Sequence, residues 1–454
     1  MTEQPSHSAE PAGDVTPLMA QYLAIKEANE GYLLFYRMGD FYELFFADAA
    51  KAAEALDIAL TKRGKHLGED IPMCGVPVHA ADSYMEKLIR QGFRVAVCEQ
   101  VEDPAEAKKR GSKAVVRREV VRLVTPGTLT EDALLDARAS NILAALGHAG
   151  GRGAGGEFAL AATDMSTGAF WVAALSEREI APELARVRPR ELLAPDGLLA
   201  HETIGALLKA SGAALSPLPS SRFDSVNGER ALTAHYGIAA LDGLGNFSRA
   251  ELSAAGALVA YLELTQKGKH ARLARLKRVA PSHFMAIDAA TRRNLELTET
   301  LSGARNGSLL SVIDRTVTAG GARELAARLA APLTDVKVIE ARHDSVSLFA
   351  QDSELRRRLR EALRAAPDLS RALARLAVGR GGPRDLANLR DGIVAARALR
   401  DGLAQIALQG EAAQAADAIV QRVAHVSRLS DRLELLLVEE PPYLTRDGGF
   451  IKTN

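Results

Sequence analysis

Residues 33–45 read LLFYRMGDFYELF, two apolar and aromatic runs that meet at Met38-Gly39-Asp40. Aromatic and apolar residues of this kind favour strands, and glycine beside aspartate favours a turn. We therefore predict a strand over 32–36, a bend, and a second extended segment over 41–46.

The elements predicted on either side place this pair in a compact α/β domain. Thr16-Pro17 is typical of a helix start, because the hydroxyl can cap the first turn and proline there lacks only an N–H that has no partner in the helix. Downstream we predict helices near 48–56 and over 81–91, a strand over 94–98, and the end of the domain near Thr130.

A second α/β domain is predicted around a β-hairpin. The apolar runs 158–164 and 169–174 are separated by a short turn sequence, and the glycine-rich residues 150–156 favour a loop or hairpin connection before them. Ser248 and Glu251 form a capping box, so a helix is predicted to follow them and to mark the end of this domain.

Beyond about residue 290 the pattern is nearly all helical, with breaks at Pro332, Pro367 and Gly381-Gly382-Pro383. The arginine-rich segment 356–364 is interleaved with leucines at helical spacing, which favours a solvated face of an amphipathic helix over a nucleic-acid site. The predicted organisation is a disordered tail over 1–14, α/β domains over 15–130 and 131–270, and an all-α domain over 271–454.

Composition narrows the class of protein. Hydrophobic residues make up 47% of the chain and charged residues 25%, as in soluble globular proteins. No apolar run reaches the roughly 20 residues of a membrane span, and no secretory signal precedes the first helix, so we expect a cytoplasmic protein. Cys74 and Cys98 lack metal-ligand spacing and are predicted to be inert core thiols. Basic and acidic residues balance at 57 each, so a phosphate-binding surface would have to be local.

Phe41 and Glu43 are candidates for contact with nucleic acid. Residues two apart in an extended segment project to the same side, which places a flat apolar ring beside a carboxylate. A phenyl ring can wedge between base steps from the minor groove and kink the duplex. The alternative is that Phe41 belongs to a core with Phe35, Phe45 and Phe46 while Glu43 faces solvent. Taken alone, the residues favour this alternative, because buried aromatics far outnumber intercalating ones.

Several motifs, in one order along the chain, resemble those of the bacterial MutS family of DNA mismatch-recognition proteins. The first is Phe-x-Glu on Phe41 and Glu43. The others are LTKRG at 60–64, IPMCGVP at 71–77, CEQ at 98–100, VTPGT at 124–128, DMSTG at 164–168, DAATRRNLEL at 288–297, GSLL at 307–310 and DRT at 314–316. Agreement at this many places is far more specific than any single signature.

The resemblance implies a fold and a set of DNA contacts. The expected domains are an α/β mismatch-recognition domain, an α/β ribonuclease H-like connector and part of an all-α core and lever domain. It implies that Phe41 wedges into the duplex at a mismatch and that Glu43 hydrogen-bonds the displaced base. Expected DNA contacts come from the residues of three further sites: Lys62, Arg63 and Lys65; Met73; and the cluster Lys108, Lys109, Arg110 and Lys113. For that cluster a solvated loop is an equally good interpretation.

The resemblance also implies what this sequence should lack. The family uses ATP and Mg²⁺ in an ATPase domain with a GxxxxGK[ST] loop, which does not occur here, so we predict no enzymatic activity and no cofactor for this chain. The final RDGGFI at 446–451 resembles the junction with the clamp domain, so an N-terminal portion is expected.

Expected partners are duplex DNA with mismatches or small insertion/deletion loops, and a MutL-type protein at the connector, in the bacterial nucleoid region. The homodimer of full-length relatives is not expected for this portion alone. Two other functions stay open: a scaffold that no longer binds DNA, and a metal-dependent nuclease, for which Glu157 and Asp164 do not supply the converging carboxylates that two metals need.

Overall fold

The structure, a computed structural model, describes residues 16–111, 114–150, 156–404 and 427–453. The chain divides into two compact units: unit 1, Met1–Pro126 with Leu264–Lys267, and unit 2, Gly127–Glu263 with Gly268–Asn454. The predicted tail over 1–14, residues 151–155 of the predicted glycine-rich connection, and Lys113 lie outside the described residues.

Unit 1 is built on a six-stranded sheet. Its strands are β1 Leu33–Met38, β2 Phe41–Phe45, β3 Thr61–His66, β4 Glu69–Pro77, β5 Val95–Gln100 and β6 Arg118–Val124. Its helices are α1 Pro17–Glu27, α2 Phe46–Leu56, α3 Ala81–Arg90 and α4 Pro104–Lys109. The strand order is β3-β4-β2-β1-β5-β6, in which β1 and β5 run parallel and the other neighbours run antiparallel. The predicted strand, bend and second extended segment are therefore confirmed.

Helix α1 closes part of one face of this sheet. Thr16 accepts a hydrogen bond from the backbone N–H of Met19 at 3.4 Å, which confirms the predicted cap. Tyr22 packs edge-to-face on Tyr36 and on Phe45, with ring centroids 5.3 and 4.9 Å apart. The prediction that the second extended segment runs to residue 46 was wrong by one residue, since Phe46 turns into the left-handed region (φ +54°) and begins α2.

The two cysteines lie in the core of unit 1. Cys74 and Cys98 are 1% and 0% exposed. Burial raises the pKa of Cys74 to about 11 and that of Cys98 to about 12. The burial confirms that both thiols lie in the core, and because the reactive form is the thiolate, the raised pKa values favour the predicted lack of reactivity.

The sheet of unit 2 lies between helices. Its strands are β7 Ile142–Ala149, β8 Glu157–Asp164, β9 Ala169–Leu175, β10 Glu191–Pro195, β11 Ala214–Leu218 and β12 Lys277–Arg278. The order is β11-β10-β7-β8-β9-β12, with β7, β8 and β9 antiparallel and the other pairs parallel. The antiparallel pair β8 and β9 confirms the predicted hairpin.

Five helices accompany that sheet: α5 Glu177–Val187, α6 Asp196–Ala200, α7 Glu202–Ala210, α8 Ser225–Tyr236 and α9 Arg249–Gln266. Residues of α9 pack on one face, and residues of α5 and α7 pack on the other. The predicted capping box is confirmed, because the N–H of Ser248 donates to Glu251 at 2.7 Å and the N–H of Glu251 donates back to the serine hydroxyl at 3.3 Å.

Helices α8 and α9 cross almost backbone to backbone. A Cβ added to Gly256 would lie 2.1 Å from the Cα of Gly228, and one added to Gly228 would lie 2.2 Å from the carbonyl oxygen of Leu252. Since real Cβ contacts do not come this close, glycine at both positions is required for the crossing.

The remainder of unit 2 is helical. Its helices are α10 Ala289–Asn294, α11 Leu309–Ile313, α12 Ala319–Ala330, α13 Val336–Gln351, α14 Ser353–Arg364, α15 Leu369–Ala377, α16 Pro383–Ala404 and α17 Ser427–Leu436. The predicted breaks at Pro332, Pro367 and Gly381-Gly382-Pro383 fall between helices or at a helix start. On α14, Leu355 is buried and the arginines 356–358 are exposed, as predicted for a solvated face. No helix in the described ranges combines the length and apolar character of a membrane span.

Four arginines of the helical part form hydrogen bonds or ion pairs with the segment 130–139. Arg371 donates to the carbonyls of Asp136 (3.0 Å) and Ala139 (2.8 Å). Arg323 donates to the carbonyl of Ala137, Arg380 donates to the hydroxyl of Thr130, and Arg375 pairs with Asp132 and Asp385. We call Arg323, Arg371, Arg375 and Arg380 the arginine joint. It fastens the segment that leads into β7 to helices α12, α15 and the loop before α16.

Candidate nucleic-acid interface

Phe41 and Glu43 lie on the same side of β2. The alternation of the strand gives this side to Phe41, Glu43 and Phe45, while Tyr42 and Leu44 are buried on the other. Phe45 is 1% exposed under Tyr22, whereas Phe41 is 46% exposed. Phe41 is therefore an exposed aromatic ring, and the interpretation of it as a core residue was wrong.

Gly75 of β4 lies beside both side chains. It pairs with Glu43 across β2 and β4, and a Cβ built on it would lie 3.7 Å from Cδ1 of Phe41 and 3.8 Å from Cγ of Glu43. Because glycine has no side chain, β4 carries none at the position that pairs with Glu43.

Arg63 of β3 reaches Glu43 of β2 across β4. Its Nη1 lies 2.5 Å from both carboxylate oxygens. The β3–β4 register shifts between Lys62 and Lys65, and Gly64 has φ +73° there. A bulge with a left-handed glycine redirects the neighbouring side chain, which accounts for the approach of Arg63 to a strand two places away.

The other predicted DNA contacts of this hairpin differ in whether their side chains already have a partner within the protein. Lys62 forms an exposed ion pair with Asp70 at 2.8 Å, and that hydrogen bond raises the pKa of Lys62. Lys65 is exposed and forms no ion pair within the described part of the chain. Met73 is half-buried beside Phe45, its register partner, so it packs at the edge of the core.

The second predicted basic cluster lies around α4. Lys109 pairs with Glu106 and Arg110 pairs with Glu102, both at 2.5 Å. Lys108 is exposed. Carboxylates thus neutralise two of the three described cations, which favours a solvated surface over a DNA contact. Lys108 and Lys109 belong to helix α4, however, so the expectation of a loop was wrong for these two residues.

The carboxylates considered for a nuclease do not meet. Glu157 and Asp164 stand at opposite ends of β8. Asp164 is 3% exposed and accepts hydrogen bonds from Ser166 (2.6 Å to the hydroxyl) and from the N–H of Asn141 (3.3 Å). Within the described ranges no group of three or more acidic, histidine or cysteine side chains is placed to hold a metal ion.

Sequence reasoning missed two features of this interface, Gly75 and the pairing of Arg63 with Glu43. The glycine at 75 and the Arg63-Gly64 dipeptide were visible in the sequence, but their meaning depends on β4 lying between β2 and β3. That order is a long-range property of the sheet.

Unit 1 is thus an α/β unit that presents an exposed aromatic ring, a paired carboxylate and a basic hairpin, and a second unit of α/β and helical parts follows it in a multidomain chain. Three family models match successive parts of the chain: MutS domain I over residues 16–133, MutS domain II over 141–276 and MutS domain III over 290–453. The chain belongs to the MutS family.

Curated relatives agree with this membership. The DNA mismatch repair protein MutS of Paracoccus denitrificans is 57% identical over 438 residues, which cover 96% of this chain and 48% of the relative. The protein of the same name from Azorhizobium caulinodans is 52% identical over 444 residues, 97% of this chain and 47% of the relative. The chain thus spans about half the length of the relatives it matches.

Proposed function

We propose that this chain binds duplex DNA with mismatches or small insertion/deletion loops as part of DNA mismatch repair. In this proposal Phe41 wedges into the duplex at the flaw and Glu43 hydrogen-bonds the displaced base. The observation that carries it is the 46% exposure of Phe41 directly beside Glu43, on a face where the next residue of the same alternation, Phe45, is buried. Family membership supports the same function.

The physical basis is a difference in the cost of deforming DNA. Unstacking a base step costs a few kcal/mol, and the cost is lower where pairing is already faulty. A mismatched or unpaired base stacks poorly and bends easily, so a wedge selects flawed sites through flexibility without reading sequence. Glu43 then supplies a hydrogen-bond acceptor for the base that the ring has displaced.

Affinity for the phosphate backbone, which does not depend on base sequence, comes from cations on the β3–β4 hairpin. Lys65 is exposed without an ion pair among the described residues, so it is the cation of this strand best placed to meet a phosphate. Lys62 and Arg63 already have carboxylate partners, which a phosphate must displace. We therefore assign the main hairpin phosphate contact to Lys65.

Binding to three duplexes tests the proposal: one with a G·T mismatch, one with an unpaired T, and one fully matched. We expect wild type to prefer the flawed duplexes and Phe41→Ala to lose roughly 10- to 100-fold of that preference, in line with the ~1–3 kcal/mol of stacking one base on an aromatic ring. Val101→Ala is the matched control, since Val101 is also 46% exposed in unit 1 and should keep the preference. Equal binding of wild type to all three duplexes would favour the scaffold interpretation instead.

We further propose that the α/β part of unit 2 is a ribonuclease H-like connector that docks a MutL-type partner. The antiparallel order β7-β8-β9, extended by the parallel strands β10 and β11 beside β7, supports this assignment. We assign no catalytic step and no cofactor to these residues. The test is to titrate a MutL-type protein into this chain, where failure of the two to associate would remove the docking role.

A further inference from the structure

We infer that Arg63 is the positioning residue for Glu43: it holds the carboxylate beside Phe41 and neutralises its charge as a duplex approaches. This inference rests on the proposed function. It differs from a phosphate contact, because the role of Arg63 then depends on Glu43 being present.

The geometry limits Glu43 to one main partner. Both of its oxygens lie 2.5 Å from Nη1 of Arg63, and the Glu43 side chain is only 13% exposed although it stands on an open face. Arg63 itself is 45% exposed. The guanidinium therefore covers the carboxylate on the side of β3, and the arginine keeps a surface of its own toward solvent.

Three features of the backbone maintain this contact. The shift of register at Gly64 redirects β3. Gly75 adds no side chain to β4 beside Glu43, and the pairing of Glu43 with Gly75 fixes the position of the carboxylate along β2. The pair is thus built into strands rather than into a mobile loop, and the carboxylate is held ready next to the ring.

Charge gives the pair its effect on binding. A bare carboxylate beside the inserting ring would be repelled by the phosphates on both sides of the groove. When Glu43 is paired with Arg63, the two side chains together bring no net charge to the duplex. Removal of Arg63 should therefore harm binding strongly when Glu43 is charged and weakly when residue 43 is neutral.

A double-mutant cycle separates this role from a phosphate contact. Affinities for the G·T duplex are measured for wild type, Arg63→Gln, Glu43→Gln and the double variant. We expect Arg63→Gln to weaken binding about tenfold alone and less than about twofold when combined with Glu43→Gln. Arg63→Lys, which keeps the positive charge but replaces the planar guanidinium by an ammonium, should recover part of the loss.

Lys65→Gln is the matched control, because Lys65 lies on the same strand without an ion pair in the described ranges. It should weaken binding equally in both Glu43 backgrounds and lower the salt slope by about 1, while the double variant Arg63→Gln/Glu43→Gln should leave that slope unchanged. Equal losses from Arg63→Gln in both backgrounds, with a lower salt slope, would make Arg63 a phosphate contact and overturn the inference.

The same data distinguish failure of the inference from failure of the proposed function. Additive effects together with a preference for flawed duplexes that Phe41→Ala removes would leave the function standing and reject only the role of Arg63. Wild type that binds flawed and matched duplexes equally would reject the function, and the role of Arg63 with it. Circular dichroism of each variant verifies that the substitutions leave the fold intact.

Discussion

Replacement of Arg375 by methionine should destabilise unit 2 strongly. The Arg375 side chain is 9% exposed and lies 2.5 Å from Asp385, whose side chain is 11% exposed, and it also pairs with Asp132. Removal of one partner from a buried ion pair leaves the other charge desolvated and costs about 3–5 kcal/mol. For Asp385 the hydrogen bond from the N–H of Gly382 at 2.9 Å would remain, but no ion pair within the described part of the chain would.

Arg357 offers a matched control on α14. It also pairs with two carboxylates, those of Glu354 and Glu361, but all three side chains are more than half exposed. Exposed pairs are screened by water and contribute little, so Arg357→Met should leave the unfolding midpoint unchanged. The two variants remove the same charge from an arginine with two carboxylate partners, and the arginine is buried in one case and exposed in the other.

Urea unfolding measures both variants. Trp171, the one tryptophan of the sequence, lies on β9 and reports on the sheet of unit 2, while circular dichroism follows the helices. At a slope of about 3 kcal/mol per molar urea, Arg375→Met should lower the midpoint by about 1–2 M. A shift of less than about 0.3 M for Arg375→Met, or an equal shift for Arg357→Met, would show that burial of the ion pairs in the arginine joint does not stabilise unit 2.

Three further outcomes are expected. Gly256→Ala should destabilise unit 2 by several kcal/mol or prevent folding, because its Cβ would meet α8. Gly402→Ala, which has open space around it in α16, should instead stabilise the protein by about 0.5–1 kcal/mol. Thermal unfolding of the two variants checks both expectations. Phe45→Ala should cost about 3–5 kcal/mol in urea unfolding, and a loss as small as that of an exposed residue would contradict its place under α1. Burial raises the pKa of Asp314, but hydrogen bonds from Arg138 and a neighbouring threonine outweigh it and hold the pKa well below its usual range. This stabilisation is present above about pH 4 and is lost as the pH falls further, so Asp314→Asn should flatten the acid limb of the stability profile.

Local chemistry explains what could be predicted from the sequence. The cap at Thr16, the capping box at Ser248 and the breaks at proline depend on residues only a few positions apart, and all of them are confirmed. The period of two along a strand placed Phe41 and Glu43 on one side before the sheet was known.

The rest depends on contacts between residues far apart in sequence. Burial of Phe45 but not Phe41 depends on where α1 crosses the sheet, and the contact of Arg63 with Glu43 depends on a bulge and on the strand between them. The buried arginines were also out of reach, because Arg371 and Arg375 follow the same helical spacing as any solvated arginine. Only the position of the segment 130–139 distinguishes them.

The two buried cysteines make this protein convenient for site-specific labelling. Maleimides need a thiolate, and thiols with pKa values of about 11 and 12 in a closed core do not supply one at neutral pH. The tip of the β3–β4 hairpin, by contrast, carries Leu67, which is 70% exposed. A Leu67→Cys variant would therefore take up a single fluorophore without removal of either native cysteine, and the dye would sit on the hairpin that carries Arg63 and Lys65.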